Sequence, residues 1–160
     1  PGAGIAAGEA KDALRDIRLF DRQLAVKGEK AAVLLPAENA GSLDFINWKR
    51  KEEKKVKVLI DAGYPSDFNG EAYKTVAGQN SNNSLRLSDK FMETYLKDGK
   101  WQTTFRTTGE VCDEYDARYL MNEISQSAWA CADPGVQLIT SIPRLDSSIA
   151  SSSSLWIQVW

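Results

Sequence analysis

The chain of 160 residues predicts an α/β fold of mixed strands and helices. Segments with apolar residues at three- and four-residue steps alternate along it with short extended apolar runs. Gly, Pro and Asp clusters fall between these segments, at Lys27-Gly28, Asp98-Gly99, Thr107-Thr108-Gly109 and Asp133-Pro134-Gly135. A hydrophobic content of 42% and a charged content of 26% are those of an ordinary globular domain, long enough to bury a core.

The elements follow in order. Over residues 9–25, Ala10, Ala13, Leu14, Ile17, Phe20 and Leu24 form one apolar stripe, opposite Glu9, Asp12, Arg15, Asp16 and Arg18. Ala31–Leu35 before Pro36 reads as a buried strand. Ser42 is placed to cap a second helix with Asp44 in its first turn and Phe45, Ile46, Trp48, Val56, Leu59 and Ile60 inward. Its run Lys49-Arg50-Lys51-Glu52-Glu53-Lys54-Lys55 has Lys49/Glu53 and Glu53/Lys57 at i,i+4 spacing, the pattern of a solvated face; a phosphate-facing basic patch is the other reading. Leu85 and Leu87 flank Arg86 in a short strand. Ser88-Asp89 opens a third helix with Phe91, Met92, Tyr95 and Leu96 inward. Trp101–Arg106 reads as extended. Asp116 starts a fourth helix carrying Ala117, Leu120, Met121, Ile124, Ala128 and Cys131 on one face, and Val136–Ile139 is the next strand. The Ser-rich stretch Ser147–Ser154 and the apolar end Leu155–Trp160 are atypical; that end reads equally as an edge strand or as non-native sequence. The domain division expected is 1–137 with an atypical tail over 138–160.

Between the second helix and Leu87 lies the most polar part of the chain. Asp61–Leu87 contains Gly63, Gly70 and Gly78, the turn formers Pro65 and Asn69, and an unbroken Gln79-Asn80-Ser81-Asn82-Asn83-Ser84. Long connections of this kind are functional or disordered more often than not. Amide side chains both donate and accept, which suits the reading of a polar ring edge or a sugar. A solvated loop of Asx-turns is the plainer alternative.

Composition excludes several classes. With no histidine, Ser-His and Cys-His catalysis and the usual zinc sites are absent. Cys112 and Cys131 are too few for a zinc cluster; a disulfide between them is one reading, and low cysteine without a signal segment favours the other, free thiols in a reducing cytoplasm. A formal charge of −2 gives no general attraction to a nucleic acid polymer or to an anionic membrane. No apolar run approaches the roughly 20 residues of a membrane span. The start P-G-A-G-I-A-A-G-E-A-K has neither a signal-peptide pattern nor an initiator Met, so the chain is expected to begin inside a larger protein.

Four ordered blocks carry a family resemblance. They are F-I-N-W-K-R-K-E-E-K-K-V (45–56), the run from Leu59 to Met92 with its N-S-N-N-S core, R-T-T-G-E-V (106–111) and W-A-C-A-D-P-G-V-Q (129–137). Together they resemble the large subunit of adenosylcobalamin-dependent (class II) ribonucleotide reductase, from about Leu43 to Gln137. The resemblance implies a partial segment of a ten-stranded α/β barrel, and a parent enzyme that reduces ribonucleotides by a thiyl-radical mechanism with adenosylcobalamin as cofactor. Asp61–Asn83 is similar to that family's specificity loop, between the effector deoxynucleotide and the substrate base. Lys74, Gln79, Asn80, Asn82 and Asn83 are accordingly expected to face nucleotide, with Gly78 and Ser81 completing the site. The implied partners are a ribonucleotide substrate and a deoxynucleotide effector, in a homodimeric parent.

The chain departs from the family pattern where the chemistry lies. No Asn-Pro-Cys-x-Glu occurs, Cys112 and Cys131 match neither the radical nor the reducing cysteines, and Lys27–Ala32 only weakly matches a phosphate-binding segment. The expectation is a fragment or frame-disrupted copy that keeps the specificity loop, has no catalytic residue and is inactive alone. A non-catalytic nucleotide-binding module and a purely structural α/β piece are the alternatives.

Overall fold

The computed structural model describes residues 17–67 and 69–139, together with the backbone of 156–157. Helix α1 occupies 17–27 of these. There follow β1 (Ala31–Pro36), α2 (Ser42–Asp61), the short α3 (Glu71–Lys74), β2 (Ser81–Ser88), α4 (Asp89–Leu96), β3 (Lys100–Thr104), β4 (Val111–Asp116), α5 (Ala117–Cys131), β5 (Gly135–Ile139) and β6 (Trp156–Ile157). The mixed α/β expectation holds. Among the described residues the main sheet is open, in the order β1-β2-β5-β6, rather than a closed barrel. β1 pairs parallel with β2 (Leu35 opposite Leu85) and β2 parallel with β5 (Leu87 opposite Leu138). β6 adds antiparallel through Val136/Ile157 and Gln137/Trp156, so the backbone at 156–157 forms an edge strand.

The core lies between β2 and the helices. Leu85 and Leu87 of β2 meet Phe45 and Ile46 of α2, Phe91 of α4, and Ala117, Leu120 and Ile124 of α5, all buried. Phe91 stands edge-on to Trp101 of β3, with ring centroids 5.1 Å apart at 88°. The Trp101 indole N–H donates to the Ala37 carbonyl at 3.1 Å, so the hairpin is anchored through a satisfied donor. The opposite side of β2 carries Asn82, Ser84, Arg86 and Ser88, exposed or half-buried. One face of the central strand is therefore packed and the other is polar.

Local chemistry explains two of the helix ends. The Ser88 hydroxyl accepts the Phe91 N–H at 3.3 Å, capping α4 as expected. The α5 helix stops at Ala132, in the left-handed region at φ 56°.

Several expectations are corrected. Gly41, at φ 79°, is the N-cap of α2, and Ser42 lies inside the helix with no capping bond. Leu96 is 73% exposed rather than inward, because α4 ends there and the chain turns at Lys97-Asp98. Phe20 is 42% exposed, while its neighbour Asp21 is buried. β1 is an edge strand with Leu34 partly exposed, not a fully buried one. The antiparallel β3–β4 pair (Trp101 opposite Tyr115) has no counterpart in the sequence reading, which stopped at the turn after Arg106. Nearly all of the atypical tail, and the first half of the expected 9–25 helix, lie outside the described residues.

Candidate functional site

The polar run does not form one long loop. Glu71–Lys74 is a helical turn, and strand β2 begins at Ser81, so Ser81-Asn82-Asn83-Ser84 is strand rather than connection. Asparagine and serine are poor strand formers, and tertiary pairing overrides them here. Each of these residues lies opposite a β1 partner, from Ala31/Ser81 to Leu34/Ser84.

Strand alternation then sorts the expected site residues. Ser81 and Asn83 point inward, 3% and 0% exposed. Asn82 points out and is exposed, as are Gln79 and Lys74, while Asn80 is half-buried and Gly78 is buried at φ 91°. Gln79 Nε2 donates to the Tyr73 carbonyl at 3.3 Å. The structure thus brings Gln79 and Asn82 to the surface of one short segment and withdraws Ser81 and Asn83 from it. Both amide atoms of Asn83 are buried without a hydrogen-bond partner among the described residues, an arrangement proteins rarely tolerate.

The backbone of the segment is held by side chains from three distant elements. Asp21 of α1, 3% exposed, accepts the N–H of Gly78 at 2.7 Å through Oδ2 and that of Asn80 at 2.9 Å through Oδ1. Lys49 of α2 donates to the Ser81 carbonyl and pairs with Asp133 Oδ2 at 2.6 Å. The same Asp133 oxygen accepts the Asn83 N–H at 3.1 Å. Burial pushes the Asp133 carboxyl above the usual carboxylate range, opposed by the Lys49 ammonium and the Asn83 N–H. These three residues were not singled out from the sequence. Lys49 reads there as part of a solvated face paired with Glu53, yet its side chain is only 18% exposed and turns inward. Arg50 likewise turns inward, to Glu123 of α5, while Lys51 binds exposed Asp44 at 2.9 Å and Lys55 pairs with Glu52.

The two cysteines are free and neither is activated. Burial, then the Asp113 carboxylate, pushes the Cys112 thiol up to about 11, and burial raises Cys131. Among the described residues no group of three or more His, Cys, Asp or Glu side chains could hold a metal ion, and no helix is long and apolar enough to cross a membrane. A groove of about 550 Å³ between α4, α5 and β5 is lined by apolar side chains such as Met92, Met121, Ile124 and Leu138, with Ser125 and the indole of Trp129 its polar contributors. It offers a nucleotide no charge partner. A smaller recess of about 390 Å³ beyond the carboxyl ends of β1 and β2 is polar, with Glu38, Ser88, Lys90 and Lys100 in its wall.

Fold and segment together define a partial α/β barrel domain with a clamped polar strand start. The chain belongs to the ribonucleotide reductase barrel-domain family, whose model ("Ribonucleotide reductase, barrel domain") matches residues 22–150. Similar proteins are named vitamin B12-dependent ribonucleotide reductase. That of Streptomyces avermitilis is 45% identical over 105 residues, which is 66% of this chain and 11% of the relative. That of Rhodopirellula baltica is 46% identical over 104 residues (64% and 10%), and that of Agrobacterium fabrum 47% over 79 residues (49% and 6%). The chain therefore spans about a tenth of the length of the first two of these relatives.

The cofactor these names imply is adenosylcobalamin. The apolar groove does not fit it, being too small and too poor in polar partners for an amide-fringed corrin.

Proposed function

We propose that this chain is the part of a vitamin B12-dependent ribonucleotide reductase that senses nucleotide identity, with residues 74–83 as its specificity segment. The parent reaction is reduction of a ribonucleotide by radical chemistry that adenosylcobalamin initiates elsewhere in the longer protein. Gln79 and Asn82 are the side chains that meet the base, and Lys74 supplies charge to a phosphate. The observation that carries this reading is the presentation of two exposed amides by a strand start whose backbone is otherwise tied down. Amides on a fixed frame can discriminate bases, because each mismatched partner leaves a polar group unpaired at a cost of about 1–3 kcal/mol. Asn80, Ser81, Asn83 and Gly78 shape the frame in this reading. The ligand classes are a ribonucleotide and a deoxynucleotide effector, in a reducing cytoplasm consistent with two free cysteines.

The chain alone is catalytically silent in this reading, since it has no Asn-Pro-Cys-x-Glu and only two cysteines where a radical cysteine and a reducing pair are needed. Calorimetric titration of the chain with each of the four deoxynucleoside triphosphates tests the sensing role. Dissociation constants tighter than about 1 mM, with differences among bases, are expected. Binding weaker than that, or equal for all four, would leave a purely structural α/β piece as the better description. Product formed from ribonucleotide, adenosylcobalamin and dithiol by the chain alone would refute its inactivity.

A further inference from the structure

Residues 78–83 are gripped from two sides, and the second grip has no sequence signature. On one side Asp21 takes the N–H groups of Gly78 and Asn80. On the other, one oxygen of Asp133 joins the Lys49 ammonium to the Asn83 N–H, and the ammonium also binds the Ser81 carbonyl. Asp133 sits in the turn between α5 and β5, with its side chain 7% exposed. The stem of Lys49 runs under the turn at Gly78, where a Cβ would lie 3.4 Å from Lys49 Cε and 3.5 Å from Cγ. Every backbone contact in this set involves residue 78, 80, 81 or 83, and the two residues skipped, Gln79 and Asn82, are the two with exposed amides.

We propose that Lys49 and Asp133 are positioning residues that fix the strand start at Ser81–Asn83 so that Asn82 and Gln79 face nucleotide in one geometry. The proposal rests on the sensing role of residues 74–83. The ion pair acts through the backbone and touches no ligand. Its partly buried ammonium would be costly to leave unpaired, so loss of Asp133 is felt at Ser81 as well as at Asn83. A loose strand start would still offer two amides, but in many orientations, and would bind different bases alike.

The test uses the full chain and its Lys49→Met, Asp133→Asn and Lys49→Arg variants, with two readouts: hydrogen exchange of the backbone N–H groups of Asn83 and Asn80, and affinity for each of the four deoxynucleoside triphosphates. In the unaltered chain Asn83 is expected to be protected and the affinities to spread over about 5–150-fold. Lys49→Met and Asp133→Asn should each speed exchange at Asn83 by roughly tenfold or more, leave Asn80 under Asp21 protected, and narrow the spread below about fivefold. Lys49→Arg, which keeps the charge, should retain most of the spread. Should Lys49→Met not fold, the near-isosteric Asp133→Asn carries the same comparison. Unchanged exchange at Asn83 overturns the clamp, and faster exchange with an unchanged spread overturns its positioning role. If the unaltered chain binds none of the four, the sensing reading itself falls and positioning with it, while the Asn83 exchange still judges the clamp.

Discussion

The buried carboxylate of Asp21 holds the backbone N–H of Gly78 at 2.7 Å, joining α1 to the turn that leads into the central strand. Because the same carboxylate also accepts from Asn80, replacing it strands two donors at once. Asp21→Ala is expected to destabilise the chain by about 1–3 kcal/mol, and Asp21→Asn, which keeps one acceptor, by less. Urea midpoints at unchanged slope are the measurement. Equal midpoints for all three chains would mean that the bonds do not persist in solution.

Gly78 adopts φ 91°, where an L side chain is strained. A Cβ there would meet Lys49 and Trp48 at ordinary contact distance, so the backbone and not a clash sets the cost. Gly78→Ala should lose about 1–3 kcal/mol, and about 2–4 °C of Tm for each kcal/mol. A Tm unchanged in calorimetry would show that the turn relaxes freely.

Arg50 Nη2 lies 2.5 Å from Glu123 Oε2 and its Nη1 3.1 Å from Gln126 Oε1, tying α2 to α5. Both charged side chains are mostly shielded, 17% and 13% exposed, whereas Lys51 and Asp44 are 63% and 61% exposed. A double-mutant cycle on Arg50 and Glu123 should give a coupling of about 0.5–3 kcal/mol, and one on Lys51 and Asp44 no more than about 0.2–1 kcal/mol. The reverse ranking would show that solvent exposure does not set these energies.

The Cys112 thiol, pushed up to about 11, and Cys131, raised by burial, both stay protonated near neutrality. A folded-state value above the unfolded one means the contribution to stability is fully present below the ordinary thiol value. It is lost as pH rises through the raised one. Alkylation by iodoacetamide at pH 8.5 should therefore be slower in the folded chain than in urea, and thiolate absorbance at Cys112 should reach half its maximum near pH 11. A folded-state thiolate titrating below pH 9 would contradict this.

Periodicity made the helices α2, α4 and α5 readable, because each buries one face and its apolar residues recur at the matching step, whereas β1 and β5 were marked by short apolar runs. The same rule misread the polar run. Nothing in Ser-Asn-Asn-Ser marks a strand, and it becomes one only by pairing with β1, which its hydrogen bonds reward irrespective of side chain. The β3–β4 pair was missed for a related reason: Val111–Asp116 is largely exposed and shows no clear alternation.

Composition and local pattern alone determined the α/β class, the family resemblance carried by four ordered blocks, and the lack of a histidine or radical-cysteine motif. Only the tertiary structure decided which amides face outward and what holds them. Lys49 lies 84 residues from Asp133, and Asp21 lies 57 from Gly78. A lysine amid alternating charges is locally indistinguishable from its solvated neighbours. Whether its ammonium meets water or a buried carboxylate is set by how helices pack around a strand, and that is a non-local property.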